Sequence, residues 1–569
     1  MKKIINAPVD VVDQYISGLT KGSDRLQRLA EKPIVVRAQE HQKPQSKVAL
    51  ISGGGSGHEP AHAGYVGPGM LDAAVLGPVF TSPSVDDVLT AIRAIGTEAG
   101  TLLIVKNYTG DRLNFGLAAE LAKTEGHTVE MVIVADDAAL GDGSRAGRRG
   151  IAGTVLVHKI AGAAAERGDT PAQLRSLVDD FTSGLATVGV GLEACTIPGA
   201  TESGFKLGPE EFEWGLGIHG EAGHSRGTML TAARIAEKAV AELVEDRGFS
   251  AGEHVAVMVN GLGGTPEIEL GVLLNDVLTE LDRHRLSATY VWAGNFMTSL
   301  DMAGASVTVA RVAEHFRPLL EDPVNVPAFP VHSFPLVQEP TRPAPPAESV
   351  ARSDRTGDED LSGLHHLVTA VCEALIDAEP VLSEMDRRVG DGDLGLNLRR
   401  GAEHVLQHGH ELLRESNSAD YMKCLSLLVR RSVGGTSGPL YSLGILGLAS
   451  VEAHGASTTG WAQAAAEGLA NIKRLGGAEV GDCTMVDALQ PAVEALYNNR
   501  SDTPIGTQLS TAAHAARKGV DDTAELQAAL GRGSYLGARS TGHRDPGAEA
   551  VAVIFAALAE TVNGGLSRE

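Results

Sequence analysis

"FPLVQEPTRPAPPAESVARSDRTGDED", residues 334–360, is where the composition of this 569-residue chain breaks: prolines and then charges replace any apolar period. Such a stretch reads as a linker, and if about 25 residues behave flexibly their root-mean-square span is on the order of 25–30 Å. Upstream, the apolar runs "KVALIS" (47–52), "TLLIVKN" (101–107), "VEMVIVA" (129–135) and "HVAVMVN" (254–260) alternate with helical patterns. That alternation predicts an α/β half with buried, mostly parallel strands. Downstream, strand-like runs vanish, and "LSGLHHLVTAVCEALIDAE", "YMKCLSLLVRRS", "WAQAAAEGLANIKRL" and "AEAVAVIFAALAETV" carry helical periods. The second half is expected to be all-helical. No repeat at a fixed period of about 20–50 residues is visible.

The length suggests three or four domains, and 43% hydrophobic with 21% charged residues describes a globular chain. Sixty-eight glycines against 4% aromatics point to many tight turns and backbone-lined pockets. A formal charge of -24 repels phosphate backbones and anionic lipid. Nucleic acid is therefore not an expected partner, and an anionic substrate must arrive with a cation or meet local donors. Cys195, Cys372, Cys424 and Cys483 form no CxxC pair, so neither a disulfide framework nor a thiolate zinc site is indicated, and a reducing cytosol fits. The start, "MKKIINAPVDVVDQYISGL", lacks an apolar leader core, and no apolar run reaches the ~18 residues that span a bilayer. Neither export nor membrane insertion is expected.

Four literal motif matches fail on context. "HEPAH" (58–62) has the zinc-protease spacing, but "GGGSG" precedes it and Pro60 lies inside it, which argues against the helix that motif needs. "GLGIHG" (215–220) matches a dinucleotide loop, yet "PEEFEW" before it and "EAGHSRG" after it do not read as a buried strand and an opening helix. "HRD" (543–545) lacks the other protein-kinase signatures. "DGDLG" (391–395) begins like a calcium loop without the closing glutamate. No GxxxxGK[ST] loop is present, so any nucleotide must be held by another device.

Other stretches carry chemistry. "KVALIS" runs directly into "GGGSGHEPAHAG", which lets bare amides approach a small polar ligand at a strand's carboxyl end. "TLLIVK" delivers Lys106, Asn107 and Asp111 to the same sheet edge, with a plain helix N-cap as the alternative role of Asp111. His219 sits between glycines that leave an imidazole edge accessible, either as a reactive group or in an ordinary surface turn. A neutral imidazole can add to a carbonyl, which would orient a small ketose with few atoms to grip. "EMDRRVGDGDLGLNLRRG" sets Asp386, Asp391 and Asp393 around a glycine turn, either as solvated loop acids or around a hard cation such as magnesium. "SVGGTSGPLYS" (432–442), "GDCTMVDAL" (481–489) and "GHRDPGAEA" (542–550) offer glycine-bounded helix starts, each either an ordinary cap or part of a phosphate cradle.

Together, "SGGGSGHEPAHAGYVG", "FTSP", "KNYTGDRLNFG", "AGRRGIAGTVLVHKIAGAAAERG", "GLGIHGEAG", "GDGDLG", "GGTSGPLYS" and "GRGSYLGARSTGHRDPGAEA" resemble the single-chain ATP-dependent dihydroxyacetone (glycerone) kinases. The resemblance spans nearly the whole chain in order. It implies a multidomain protein: a ketose-binding half of two α/β subdomains (1–185, and 186–335 carrying a covalent histidine), a Pro-rich linker (336–360), and an all-α eight-helix barrel (361–569) binding ATP and two magnesium ions.

By the same resemblance, His219 forms a hemiaminal with the substrate carbonyl, Asp111 is the base and His58 assists, with Gly55, Ser56, Gly57 and Lys106 lining the sugar pocket. Asp386, Asp391 and Asp393 hold the magnesium ions and Thr436 and Ser437 lie at the phosphates. Asn397, Gly476, Thr484, Met485, Asp545, Pro546 and Gly547 belong to the nucleotide site. A cytoplasmic homodimer through the α/β half is implied, with the helical unit free to serve the neighbouring subunit.

Two positions depart from the family pattern, Ala222 where proline is expected and Gly533 where alanine is commoner. The alternatives are a kinase for a four-carbon ketose such as erythrulose, a nucleotide cyclase acting on FAD, and a non-catalytic ketose sensor or phosphorelay subunit. Fusion of the two halves without an added phosphocarrier domain favours direct use of ATP.

Overall fold

The structure, a computed structural model, describes residues 2–39, 43–140, 147–200, 203–221, 223–336, 359–498 and 503–566. They fall into two compact units, Met1–Arg342 and Pro343–Glu569. Most of the expected linker, 337–358, and the departure at Ala222 lie outside the described residues.

The first unit carries two six-stranded sheets. One is built from β1 (Leu26–Arg28), β2 (Ile34–Arg37), β3 (Ala49–Ser56), β4 (Ala73–Val79), β5 (Thr101–Lys106) and β6 (Val129–Val134) in the order β1-β2-β4-β3-β5-β6. The other contains β7 (Leu185–Gly191), β8 (Glu211–Trp214), β9 (Ser225–Thr228), β10 (His254–Gly261), β11 (Ser287–Gly294) and β12 (Gly304–Arg311), in the order β11-β10-β12-β7-β8-β9. All four runs read as strands from the sequence are strands. The expectation of mostly parallel pairing holds only in the first sheet, where β4, β3, β5 and the edge strand β6 run parallel. In the second sheet β10 and β11 alone are parallel; β12 lies antiparallel between β10 and β7. The reason is local: no helix separates β11 from β12, and a short connection can only reverse the chain.

Alternation along β5 assigns its side chains to two cores. Leu102 and Ile104 face one that also takes Met258 of β10 and Tyr290 of β11, while Leu103 and Val105 face another beneath the helices Val85–Ile95 and Thr109–Thr124. The two sheets thus share one interior. The helix Thr154–Arg167 runs through it with twelve of its fourteen residues buried, which its nearly continuous apolar sequence "TVLVHKIAGAAAER" requires.

The second unit is all-helical. Eight long helices stand among the described residues: Ser362–Val389, Leu394–Gln407, Ser418–Ser432, Ser437–Leu448, Thr458–Gly476, Val486–Tyr497, Ile505–Thr523 and Pro546–Leu566. Each packs on the next in chain order and the last packs back on the first, so they close a ring around two apolar cores. By length and hydropathy, Pro546–Gly564 passes as a membrane span, which the sequence reading did not anticipate. It is a member of this ring, packed against Ser362–Val389 and Ile505–Thr523.

Candidate active site

Parallel pairing of β3 with β5 brings their carboxyl ends to one edge of the first sheet. There β3 delivers Gly55 and Ser56, followed by Gly57 and His58, and β5 ends in Lys106. Asp111 lies in the first turn of the helix Thr109–Thr124, whose N-cap position is Tyr108. The N-cap alternative for Asp111 therefore fails: its carboxylate accepts from the hydroxyl of Ser82 instead. Lys106 Nζ and Asp111 Oδ2 both lie within 3.5 Å of the point a Cβ on Gly54 would occupy, so the bare backbone there admits both head groups. The hydroxyl of Ser56 is tied to the carbonyl of Gly77 at 2.8 Å.

His219 joins this edge from the loop after β8. Its ring meets His58 at 4.7 Å, Tyr108 at 4.6 Å and Phe80 at 5.3 Å between centroids, each edge-on, and its side chain stays 19% exposed. A strand does precede "GLGIHG", contrary to the sequence reading, but it is a short antiparallel one and no helix opens behind the loop. The dinucleotide geometry is absent there for that reason. Nor is "HEPAH" helical: His58 and His62 are both buried in irregular backbone.

Electrostatics at this edge follow from burial. His58 is fully buried and held well below the usual histidine range by desolvation first, then by Lys106 and His219. Its Nδ1 meets the Thr298 carbonyl at 2.8 Å, and its Nε2 has no partner among the described groups. Burial also lowers Lys106, whose Nζ is likewise unpartnered, with Asp111 the strongest of the carboxylates acting in the opposite direction. One acceptor, His58 Nε2, and one donor, Lys106 Nζ, that find no protein partner mark a place for a polar ligand.

The helical unit holds a cavity of about 690 Å³ at one end of the ring. Asp386, near the end of Ser362–Val389, and Asp391 and Asp393, on the turn that follows, offer carboxylate oxygens all within 4.8 Å of one another. Asp386 also accepts from the Leu394 N–H at 3.1 Å, and Arg532 pairs with Asp391. Asn397, Thr436, Ser437, Gly476, Thr484, Met485, Asp545, Pro546 and Gly547 line the same cavity. Asp545 is pushed up to about 7, by burial first and by Asp487 and Asp386. Tyr441 lines the cavity too, and its buried hydroxyl has no partner. Three converging acids, an orphaned hydroxyl and the amides of several helix starts fit a nucleotide with a divalent cation. At the Gly533 departure a Cβ would press on that of Ala528 at 3.1 Å, which favours the glycine found here.

Sequence reasoning missed Phe80, Ser82, Tyr108, Arg149, Glu221 and Tyr441. All six lie inside motifs it quoted, but nothing in their type or spacing marks them. Ser82 and Phe80 come from the connection after β4 and reach the site only through folding.

An α/β unit presenting a histidine beside a carboxylate and a lysine, joined to a helical unit with an acid-lined cavity of nucleotide size, defines a two-domain phosphotransferase. The Dak1 domain matches residues 17–328 and the DAK2 domain residues 388–560. A putative 3,4-dihydroxy-2-butanone kinase of Solanum lycopersicum is 40% identical, covering 99% of this chain and 98% of that protein. Human triokinase/FMN cyclase is 37% identical, covering 99% of both. The crystal structure of the C. freundii dihydroxyacetone kinase in complex with AMP-PNP and Mg2+ is 37% identical over 98% of this chain and 99% of that one, with a TM-score of 0.66. The chain belongs to the single-chain dihydroxyacetone kinase family.

Proposed function

We propose that this protein uses ATP with magnesium to phosphorylate a hydroxyl of a short-chain ketose, dihydroxyacetone above all, and holds that ketose as a hemiaminal on His219. The observation that carries the reading is the position of the His219 ring, partly open to solvent, against His58 and at the sheet edge that bears Lys106 and Asp111. His219 Nε2 adds to the carbonyl and fixes the ketose. His58 Nε2, which can only accept, takes a hydrogen bond from a sugar hydroxyl, and Lys106 donates to an oxygen of the substrate. Gly55, Ser56 and Gly57 line the pocket with backbone. Asp111 takes the proton of the reacting hydroxyl late in transfer, because an alcohol is far weaker an acid than a carboxylic acid.

In the helical unit, Asp386, Asp391 and Asp393 hold two magnesium ions, and Thr436 and Ser437 meet the phosphates. Asn397, Gly476, Thr484, Met485, Asp545, Pro546 and Gly547 surround the rest of the nucleotide. The bound ATP–magnesium supplies the phosphoryl group and offsets its charge. We assign residues 1–185 and 186–335 to two subdomains of the α/β half, 336–360 to the linker, and the closed ring in 361–569 to an eight-helix barrel.

The protein is assigned to the cytoplasm, in keeping with four free cysteines, and to a homodimer formed through the α/β half. Leu113, Leu117 and Leu121 form an exposed stripe at four-residue spacing on the helix Thr109–Thr124, and we assign it to that interface.

ADP release from purified protein, without any carrier protein, tests the reading over dihydroxyacetone, both erythrulose enantiomers and glyceraldehyde. ADP matched by dihydroxyacetone phosphate supports it; no turnover of any acceptor overturns it in favour of a ketose sensor or relay subunit. A four-carbon acceptor is the second reading, favoured by the name of the Solanum lycopersicum relative, a putative 3,4-dihydroxy-2-butanone kinase, and faster erythrulose turnover would select it. The nucleotide-cyclase alternative, in keeping with the FMN cyclase in the human relative's name, makes FAD a further substrate to include, with cyclisation as its readout.

A further inference from the structure

Glu221, two residues beyond His219, turns its carboxylate back onto that histidine. Oε1 meets the imidazole Nδ1 at 2.9 Å, and Oε2 accepts from the His219 backbone N–H, also at 2.9 Å. The turn is possible because residue 217 has no side chain: a Cβ on Gly217 would lie 2.2 Å from Glu221 Oε2 and 2.6 Å from the Arg149 guanidinium. Arg149 anchors the loop from behind, donating to the Gly215 carbonyl and to Asp137, each at 2.6 Å. The hydrogen bonds from His219 outweigh partial burial and hold Glu221 down at about 2.

A carboxylate can only accept, so the ring proton of His219 resides on Nδ1 and Nε2 carries the lone pair. Without that bond both tautomers are open, and one of them blocks Nε2. We infer that Glu221 is the positioning residue of the ketose-binding histidine, holding Nε2 as the free nucleophile and countering the positive charge the ring gains on addition. The inference rests on the reading of His219 given above. In the step, the Nε2 lone pair forms the C–N bond and the carbonyl π pair moves to oxygen. That oxygen takes one proton from water, whose hydroxide leaves to bulk solvent, and the ring keeps its Nδ1 proton as an imidazolium facing the Glu221 carboxylate. Around the ring stand His58, Tyr108 and Phe80, all neutral or apolar, so the nearest negative charge is that of Glu221.

The test is histidine-labelled NMR on the full chain, with the His219 signals assigned by their loss in His219→Ala, together with intact-protein mass spectrometry after addition of dihydroxyacetone. Wild type is expected to show Nδ1–H and bare Nε2. Glu221→Ala is expected to lose that preference and to lower kcat/KM on the order of 10²-fold or more. Glu221→Gln, whose amide oxygen still accepts from Nδ1–H, is expected to retain the tautomer but to lose on the order of tenfold in adduct, for want of charge. A proton on Nε2 in wild type, or an unchanged tautomer and adduct in a folded Glu221→Ala protein, overturns the inference. If wild type forms no adduct at all, the His219 reading and the charge-countering role fall together, and the tautomer measurement alone decides the positioning role.

Discussion

Nδ1 of His58 lies 2.8 Å from the carbonyl oxygen of Thr298, a contact that requires the proton on Nδ1 and leaves the buried Nε2 as an acceptor without a partner. With its one ring proton spent on Thr298, His58 is left able only to accept a hydrogen bond through Nε2. That directionality separates its work from that of Lys106, a donor, and from the proton removal proposed for Asp111.

The division of labour between His219 and Asp111 is separable by experiment. Asp111→Asn is expected to keep the ketose adduct and lose on the order of 10²–10⁴-fold in kcat. His219→Ala is expected to lose the adduct altogether. Mass spectrometry of the intact proteins with dihydroxyacetone checks both; an adduct that persists in His219→Ala refutes the assignment.

Acid sensitivity should originate in the α/β unit. His58, His62 and His158 are buried and all held below the ordinary histidine value, desolvation being the largest cause in each. The folded state resists their protonation while the unfolded chain accepts it. Their contribution is thus fully present above about pH 6.5 and declines as pH falls toward the folded values, by up to about 1.4 kcal/mol per pH unit for each group. Urea unfolding at pH 7 and pH 5 measures the loss, and His158→Gln should shrink the difference.

Helix Thr154–Arg167 has no room for added volume. A Cβ on Gly162 would fall 2.2 Å from the carbonyl oxygen of Gly69, backbone against backbone. Gly162→Ala is expected to cost about 1–3 kcal/mol, read as a lowered denaturation midpoint. Gly168→Ala, where a Cβ would meet no atom within 4 Å but φ is +100°, tests backbone strain without crowding.

Removal of one acid from the cavity should separate cation binding from folding. Asp386, Asp391 and Asp393 repel one another in the absence of a cation, so Asp393→Asn is expected to leave the ligand-free protein as stable as wild type or slightly more so. Magnesium with AMP-PNP should raise the melting temperature of wild type and not that of the variant. Differential scanning calorimetry with and without both ligands decides it.

The leucine stripe yields a prediction about assembly. Leu117→Lys, at the centre of Leu113, Leu117 and Leu121, is expected to convert a dimer to a monomer in sedimentation velocity while leaving the fold intact, since this position packs into no core.

Legibility varied along the chain for physical reasons. β3, β5, β6 and β10 are apolar runs that could be read directly, whereas β7 ("LATVGVG") and β12 ("GASVTVAR") are diluted with glycine, alanine and threonine and give little contrast. The acids at 386, 391 and 393 were legible because one helix end and one turn bring them together. Thr436, Met485 and Asp545 each look like ordinary helix starts, and it is the closure of the ring that brings them to one cavity.

Taken alone, the sequence determined the two classes of fold, the change of class at the proline-rich stretch, and the groups at the strand ends and acid turn, because short-range periodicity and turn chemistry carry that information. Tertiary structure decided the antiparallel order of the second sheet, the loss of the Ser56 hydroxyl to Gly77, and the grip of Glu221 on His219. Those depend on which backbones meet across space and on which edge of a ring faces a neighbour, and neither distance nor direction is written in the spacing of residues.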